Sequence, residues 1–182
     1  MKIFILAILI TLSSVFSLLI KETTFIGKVT TNKNNKNYVL GLCIEFRVDT
    51  IVIAKGFVEE NGTFKITSPV SNKIDIYYHG IGVQDTYVKT IRPTDEDTVI
   101  LNLTIPKEYK RYFGKAVCPK CNKANKTIPI VYGLGSAVLI KHSDNKGDTT
   151  QIPYDNKSYY AGSCVTSDID PKFFCKRDMI KF

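Results

Sequence analysis

Four of the five cysteines of this 182-residue chain fall between residues 118 and 175, which concentrates thiol chemistry in its last third. Cys118 and Cys121 are separated by Pro119 and Lys120. This two-residue spacing lets two thiolates from one tight turn bind the same tetrahedral ion. Asn122 follows at the position where such turns adopt a left-handed backbone, which asparagine tolerates better than most residues. The motif therefore predicts one half of a metal site.

A second pair of ligands with the same spacing lies further along the chain. Cys175 and Asp178 are also separated by two residues, so a carboxylate takes the place of a second thiolate. A carboxylate can bind Zn²⁺ at about 2.0–2.2 Å, although its reach differs from that of a thiolate. Cys164 is an alternative fourth ligand. We therefore predict a structural zinc site formed by Cys118, Cys121 and Cys175 with either Cys164 or Asp178.

The same cysteines allow two other kinds of chemistry. In an oxidising compartment, Cys164 could pair with Cys175 in a disulfide that fastens the tail without metal. Cys118 and Cys121 could instead form a redox-active pair, but such pairs normally lie at a helix N-terminus, and the residues that follow here are typical of loop and strand. Cys43 stands apart from the other four, and strand alternation predicts that it faces outward as a free or half-covered thiol.

The tail resembles a zinc ribbon, because each of the two turns precedes residues typical of a strand, at 127–132 and 179–182. Similar exported bacterial proteins carry a CPxC element, an IPIVYG-like strand, a glycine-cysteine element and a final CxxC. The corresponding positions here are Cys118 with Cys121, residues 128–133, Cys164, and Cys175 with Asp178 in place of the last cysteine. The resemblance implies a small zinc-ribbon-like β domain over residues 110–182.

Before this tail, from about residue 23 to 105, the sequence has the pattern of an antiparallel β-sandwich. In residues 38–48, Leu42, Ile44 and Phe46 alternate with Cys43 and Glu45, which predicts a half-buried strand. The other strands are predicted at residues 24–31, 50–58, 63–67, 73–79, 86–91 and 98–105. Asn61-Gly62 predicts a hairpin between two of them. The predicted core is Val29, Leu42, Ile44, Phe46, Phe64, Ile66, Ile74, Ile76, Leu101 and Leu103.

Three segments of this sandwich region resemble the carboxypeptidase regulatory-like domain, which has a transthyretin-like fold. They are residues 27–29, residues 58–66 with the sequence VEENGTFKI, and residues 74–80 followed by a hydrophobic strand at 99–103. The resemblance covers about 80 residues, and it implies a transthyretin-like sandwich of seven strands. Members of that family are non-catalytic as a rule, so it also implies a structural or binding module.

Residues 1–17 have the composition of a secretory signal peptide. Lys2 precedes a run without charges at residues 3–20, and Val15-Phe16-Ser17 offers small residues at the positions that signal peptidase reads. The alternative is an uncleaved N-terminal anchor, which would keep the protein near the membrane. The run contains a threonine and three serines, which makes it poorer in apolar residues than a typical span. We therefore predict export to the periplasm or the extracellular space.

Composition narrows the range of functions. The net charge of +8 reflects lysine-rich composition, and predicted export argues against a nucleic-acid partner. The two histidines leave little room for a multi-histidine enzyme. The sequence therefore favours a non-enzymatic binding or structural accessory protein of the cell envelope, with an unidentified protein or glycan partner. The alternative class is an enzyme, either a thiol-disulfide oxidoreductase or another secreted enzyme.

Overall fold

A computed structural model describes residues 21–31, 39–93, 96–133, 140–141, 150–151 and 159–182. The predicted signal peptide at residues 1–17 lies outside this range. No helix in the described part of the chain has the length and apolarity needed to cross a bilayer.

The described residues form strands connected by turns and loops, so the prediction of a mainly β protein is confirmed. The strands of the first region are β1 (Glu22–Thr31), β2 (Cys43–Val48), β3 (Ile51–Phe57), β4 (Thr63–Pro69), β5 (Ile74–Gly80), β6 (Val83–Ile91), β7 (Thr98–Ile100) and β8 (Leu103–Ile105). Those of the tail are β9 (Arg111–Tyr112), β10 (Lys115–Ala116), β11 (Thr127–Val131), β12 (Ile140–Lys141), β13 (Thr150–Gln151), β14 (Tyr160–Ala161), β15 (Phe173–Cys175) and β16 (Ile180–Lys181).

The strands of the first region form two sheets. In one sheet β1 pairs with β4 in antiparallel fashion, and with β7 and β8 in parallel fashion. The other sheet has the order β3-β2-β5-β6 and is antiparallel throughout. All ten residues predicted for the core are buried in one cluster that draws on both sheets. The alternation of apolar residues was therefore a sound guide to the buried face of each strand.

Two predicted strands have different bounds in the structure. The strand predicted at residues 38–48 begins only at Cys43, because the chain turns at Gly41, where φ is 75°, and Leu40 is 56% exposed. The strand predicted at 98–105 is two strands, β7 and β8. Between them, the Asn102 side chain accepts a hydrogen bond from the Lys28 amide at 3.1 Å and replaces a backbone acceptor of the ladder.

The turn at Asn61-Gly62 is present, but the hairpin predicted there is wrong. Gly62 has φ of 82°, and its amide donates to the carbonyl of Glu59 at 2.9 Å. The strands on either side, β3 and β4, belong to different sheets and pair with β2 and β1 respectively. The same turn chemistry serves to cross from one sheet to the other, which local sequence cannot distinguish from a hairpin.

In the tail, a four-stranded sheet has the order β14-β11-β15-β16, and β9 pairs with β10 in a separate hairpin. The strand predicted at 127–132 is confirmed as β11, and that at 179–182 is the shorter β16. The tail also packs into the sandwich. Ile169 is fully buried in the sandwich core, and Tyr77 and Tyr87 of the sandwich belong to a second cluster with tail residues.

Candidate metal centre

The first turn of the centre is closed by backbone hydrogen bonds around its two cysteines. The Asn122 amide donates to the carbonyl of Cys118 at 2.9 Å, and the Cys118 amide donates to the carbonyl of Lys123 at 3.1 Å. Asn122 has φ of 56°, so the left-handed conformation expected from the sequence is present. This geometry directs the thiols of Cys118 and Cys121 to the same side of the turn.

The second turn repeats this arrangement with a carboxylate in place of one thiol. Cys175 pairs with Ile180 across the β15–β16 hairpin, which is the same five-residue closure as that between Cys118 and Lys123. Met179 follows Asp178 and has φ of 55°, as Asn122 follows Cys121. Sequence reasoning missed this left-handed residue, since methionine is rarely found in that conformation. Met179 stands four residues after Cys175, as Asn122 stands four residues after Cys118. This matching position could have predicted the left-handed backbone at Met179.

The two turns bring Cys118, Cys121, Cys175 and Asp178 together, with one ligand atom of each lying within 4.8 Å of all the others. The Sγ atoms of Cys121 and Cys175 are 3.9 Å apart. Asp178 Oδ2 lies 3.1 Å from Cys118 Sγ and 3.2 Å from Cys175 Sγ. Zn–S bonds of about 2.3 Å place two sulfur ligands of a tetrahedral ion about 3.8 Å apart. The arrangement of these four residues is therefore one that could hold a metal ion.

Burial determines the electrostatics of this group. Cys118 and Cys175 are fully buried, and burial raises the pKa of both thiols because it disfavours the thiolate. Burial also opposes ionisation of Asp178, but hydrogen bonds from the three thiols and the nearby charge of Lys120 outweigh it and lower the pKa of that carboxyl. Without metal, the thiols of Cys118 and Cys175 thus stay protonated and donate to the Asp178 carboxylate.

Lys120 lies between the two cysteines of the first turn and connects the group to the sandwich. Its Nζ lies 2.5 Å from Oδ2 of Asp75 on β5, and Asp75 is only 2% exposed. Thr90 Oγ1 donates to the other oxygen of the same carboxylate at 2.6 Å. Sequence reasoning missed this contact, because the lysine resembled the many solvated lysines around it.

Cys164, the predicted alternative fourth ligand, does not lie with Cys118, Cys121 and Cys175, whereas Asp178 does. Cys164 is exposed, and its neighbour Val165 lines a groove with Gly82 of the β5–β6 turn. The loop that carries it therefore packs elsewhere on the sandwich. All five cysteines are free. Cys164 and Cys175, the two cysteines of the alternative disulfide, lie in different surroundings, since Cys164 is exposed and Cys175 is buried.

A further group that sequence reasoning missed consists of Cys43, Glu45 and His79, whose ligand atoms also lie within 4.8 Å of one another. Cys43 is 3% exposed, so the expectation of a half-covered thiol understated its burial. The alternation of residues 43 and 45 was visible in the sequence. The pairing of β2 with β5, which places His79 opposite Cys43, was not.

Comparisons with known proteins add little to this description. No protein-family model matches the sequence, and no curated protein matches it. Among solved structures, the chain is similar to a 9R-lipoxygenase from Cyanothece PCC8801, with a TM-score of 0.34 and 17% sequence identity over 53% of this chain. The aligned part spans 18% of the length of that enzyme. A likeness this low carries no argument about fold or function. The fold and the donor groups themselves define a mainly β, sandwich-like protein with residues that could hold a metal ion.

Proposed function

We propose that this chain is a non-enzymatic binding or structural accessory protein whose tail is fastened to a β-sandwich by a structural zinc ion. The observation that carries the proposal is the convergence of Cys118, Cys121, Cys175 and Asp178 from two turns of matching geometry. Two turns that each present two ligands at the same spacing are typical of structural zinc sites.

The donor set favours zinc over other biological cations. Three thiolates are soft ligands, which bind Zn²⁺ well and Mg²⁺ or Ca²⁺ poorly. Three ionised cysteines and Asp178 would together carry four negative charges, of which a dication neutralises two. The nearby charge of Lys120, which helps to lower the pKa of Asp178, favours the ionised form of that ligand.

The closed character of the group supports a structural role. Four protein ligands leave no position for a substrate, and Cys118 and Cys175 are fully buried. The raised pKa of Cys118 argues against the thiol-disulfide oxidoreductase that the sequence left open, because reactive cysteines have depressed pKa values. What the ion would stabilise is the contact of β15, β16 and the first turn with β5 and β6 of the sandwich.

The binding surface we propose is the cleft where the tail meets the sandwich. It encloses a cavity of about 140 Å³. Tyr87, Tyr109 and Phe182 give it aromatic walls, and Lys107 and Asp170 supply charged groups at its lining. Apolar walls with a few convergent polar groups are typical of ligand sites, and the volume here is below the roughly 300–1,000 Å³ of whole-ligand pockets, so we propose that it takes one inserted group of a larger partner. A protein segment or a glycan of the cell envelope is the partner we propose, in keeping with the predicted export and with the resemblance to the carboxypeptidase regulatory-like domain.

Metal analysis of the purified protein tests the zinc site. The protein would be prepared under reducing conditions with zinc present, and bound metal and free thiols would be counted. We expect the wild type to hold one zinc ion at the tail site. Cys118→Ser should bind one zinc ion per chain fewer than the wild type. The matched control is Cys164→Ser, which removes an exposed cysteine outside the group and should retain this zinc. Retention of tail-site zinc by Cys118→Ser, or its equal loss in both variants, would contradict the proposal.

A further inference from the structure

A second group of metal-binding side chains lies on the face of the β3-β2-β5-β6 sheet that is turned away from the sandwich core. Cys43 and Glu45 are two residues apart on β2, so both side chains leave the same face of the sheet. His79 on β5 is directly opposite Cys43. A thiol, a carboxylate and an imidazole therefore converge within 4.8 Å, and none of the three belongs to the tail site.

The thiol of Cys43 is buried and poorly satisfied. It is 3% exposed, and within the described residues its sulfur makes one long polar contact, 4.0 Å from the carbonyl oxygen of Ile44. Small buried thiols often pack as apolar groups, but this one lies beside Glu45 and His79, which are both metal ligands by type. The Glu45 carboxylate and the His79 imidazole could therefore bind a metal ion together with Cys43, whereas the protonated thiol makes little contact with either of them.

Glu45 is oriented by a network of charges behind it. Arg47 Nε donates to Glu45 Oε2 at 2.9 Å, and Arg47 in turn donates to both carboxylate oxygens of Asp85 at 2.8 Å. With Oε2 held in this way, Oε1 faces His79 Nε2 at 2.9 Å. Outer partners that fix one oxygen of a ligating carboxylate are a regular feature of metal sites.

The charge balance also suits a dication. Within the described part of the chain, the cations that act on Cys43 are Arg47 and Lys55, and Lys55 faces Glu45 from β3. Glu45 and Asp85 offset these two charges, so an ionised Cys43 leaves an excess of one negative charge. A dication would change this excess to a single positive charge. The His79 side chain is partly exposed, so water lies next to this charge.

We propose that Cys43, Glu45 and His79 form a second metal site, with three protein ligands and one open position, for a borderline dication such as Zn²⁺. Ligand bonds of about 2.0–2.3 Å require the donor atoms to lie roughly 3.3–3.6 Å apart. The 2.9 Å contact between His79 and Glu45 must therefore lengthen by a few tenths of an ångström. The His79 side chain is 38% exposed, so it is free to make this shift. The open position faces solvent, where water or a donor from a partner can bind.

Cobalt titration of the full chain tests this site, because Co²⁺ substitutes for Zn²⁺ and its thiolate complexes absorb visible and near-ultraviolet light. Metal-free protein would be titrated under reducing conditions, with stoichiometry read from the thiolate-to-cobalt absorption and from equilibrium dialysis. We expect the wild type and Cys164→Ser to bind a second equivalent. Cys43→Ser and His79→Gln should each lose one equivalent and keep the other. Unchanged stoichiometry in both variants would overturn the inference.

The same titration separates this site from the tail site, since Cys118→Ser removes only the tail equivalent. If the tail site does not bind metal, Cys118→Ser will bind the same number of cobalt equivalents as the wild type. Cys43→Ser will then lose the single equivalent that the wild type binds.

A second measurement uses unaltered side chains at the site, in case Cys43→Ser fails to fold. Zinc added to the wild type should move the imidazole nitrogen resonances of His79. The other histidine of the chain, His142, is distinguished by the His142→Gln variant. Imidazole resonances of His79 that stay constant at saturating zinc would also overturn the inference.

Discussion

Lys120, which lies between Cys118 and Cys121, forms an ion pair with the buried carboxylate of Asp75 on β5, with Nζ 2.5 Å from Oδ2. Lys120 also lies over the Tyr87 ring, 5.9 Å from its centroid. Because Lys120 stands between Cys118 and Cys121, this contact holds the proposed zinc turn against the outer side of β5 and β6. The position of the turn is thus set by the sandwich as well as by the ligands.

The first prediction concerns this ion pair. Lys120→Ala leaves the Asp75 carboxylate buried with Thr90 as its remaining side-chain donor. We expect a loss of about 1.5–3 kcal/mol in the free energy of unfolding, the usual cost of losing a charged hydrogen bond. Urea denaturation followed by circular dichroism measures it. Lys123→Ala removes an exposed lysine of the same turn and should change stability by less than about 0.5 kcal/mol. Equal effects in the two variants would show that the Asp75 contact contributes nothing specific.

The second prediction concerns removal of the metal. A chelator added to the zinc-loaded protein should release the ion and leave Cys118 and Cys175 as protonated, buried thiols. Because the two turns then lose their common ligand, amide hydrogen exchange should accelerate in β15, β16 and residues 118–123. Amides of β1 and β4, which pair with each other in the first sheet, should change much less. Acceleration spread evenly over both regions would contradict a local role for the ion.

The third prediction concerns the unusual carboxylate ligand. Asp178→Asn keeps the shape of the side chain but removes its charge, and an amide oxygen is a weak ligand for Zn²⁺. Loss of an outer partner of a metal site costs about 10–100-fold in affinity, so loss of a direct ligand should cost on the order of 100-fold. Competition with a chromogenic chelator measures the change.

Asp49→Asn is the control for Asp178→Asn, because Asp49 lines the same surface groove but belongs to neither ligand group. This variant removes the same charge near the site and should bind zinc within about twofold of the wild type. If both variants weaken binding alike, the effect of Asp178 is that of a nearby charge alone.

The sequence was most informative where one local pattern decides the structure. Strict alternation identified the sandwich core correctly, including Phe46 and Ile76, because burial of one face of a strand requires that period. The spacing of the cysteines identified Cys118, Cys121 and Cys175 as members of one group, and left the fourth member open between Cys164 and Asp178. Asn122 revealed its left-handed backbone through its residue type.

What the sequence could not supply are contacts between distant parts of the chain. The ion pair between Lys120 and Asp75, the pairing of His79 with Cys43, and the choice of Asp178 over Cys164 all depend on how strands are arranged in space. No local period encodes these arrangements. For the same reason, Asn61-Gly62 predicted a turn correctly but not the sheets that it joins.

The last prediction concerns the way the tail enters the sandwich. Ile169, in the loop before β15, is fully buried in the sandwich core, and its carbonyl accepts a hydrogen bond from the buried hydroxyl of Tyr78 at 2.5 Å. Ile169→Ala should therefore lower the free energy of unfolding by about 2–5 kcal/mol, the range for truncating a fully buried aliphatic side chain. Val165→Ala, at a side chain that is 63% exposed in the same loop, is the control and should have little effect.

The course of unfolding distinguishes a shared core from a tail that merely rests on the sandwich. Hydrogen exchange measured at a series of urea concentrations gives an unfolding midpoint for each amide. If the core is shared, Ile169→Ala will lower the midpoints of amides in β1–β8 and of amides in the tail together. A shift confined to tail amides would mean that Ile169 stabilises only its own loop. Ile169 lies in the core between the two sheets, whereas the two cysteine turns lie over β5 and β6. The tail therefore contacts the sandwich at two separate points. Removal of zinc by a chelator should leave the contact of Ile169 with the core in place.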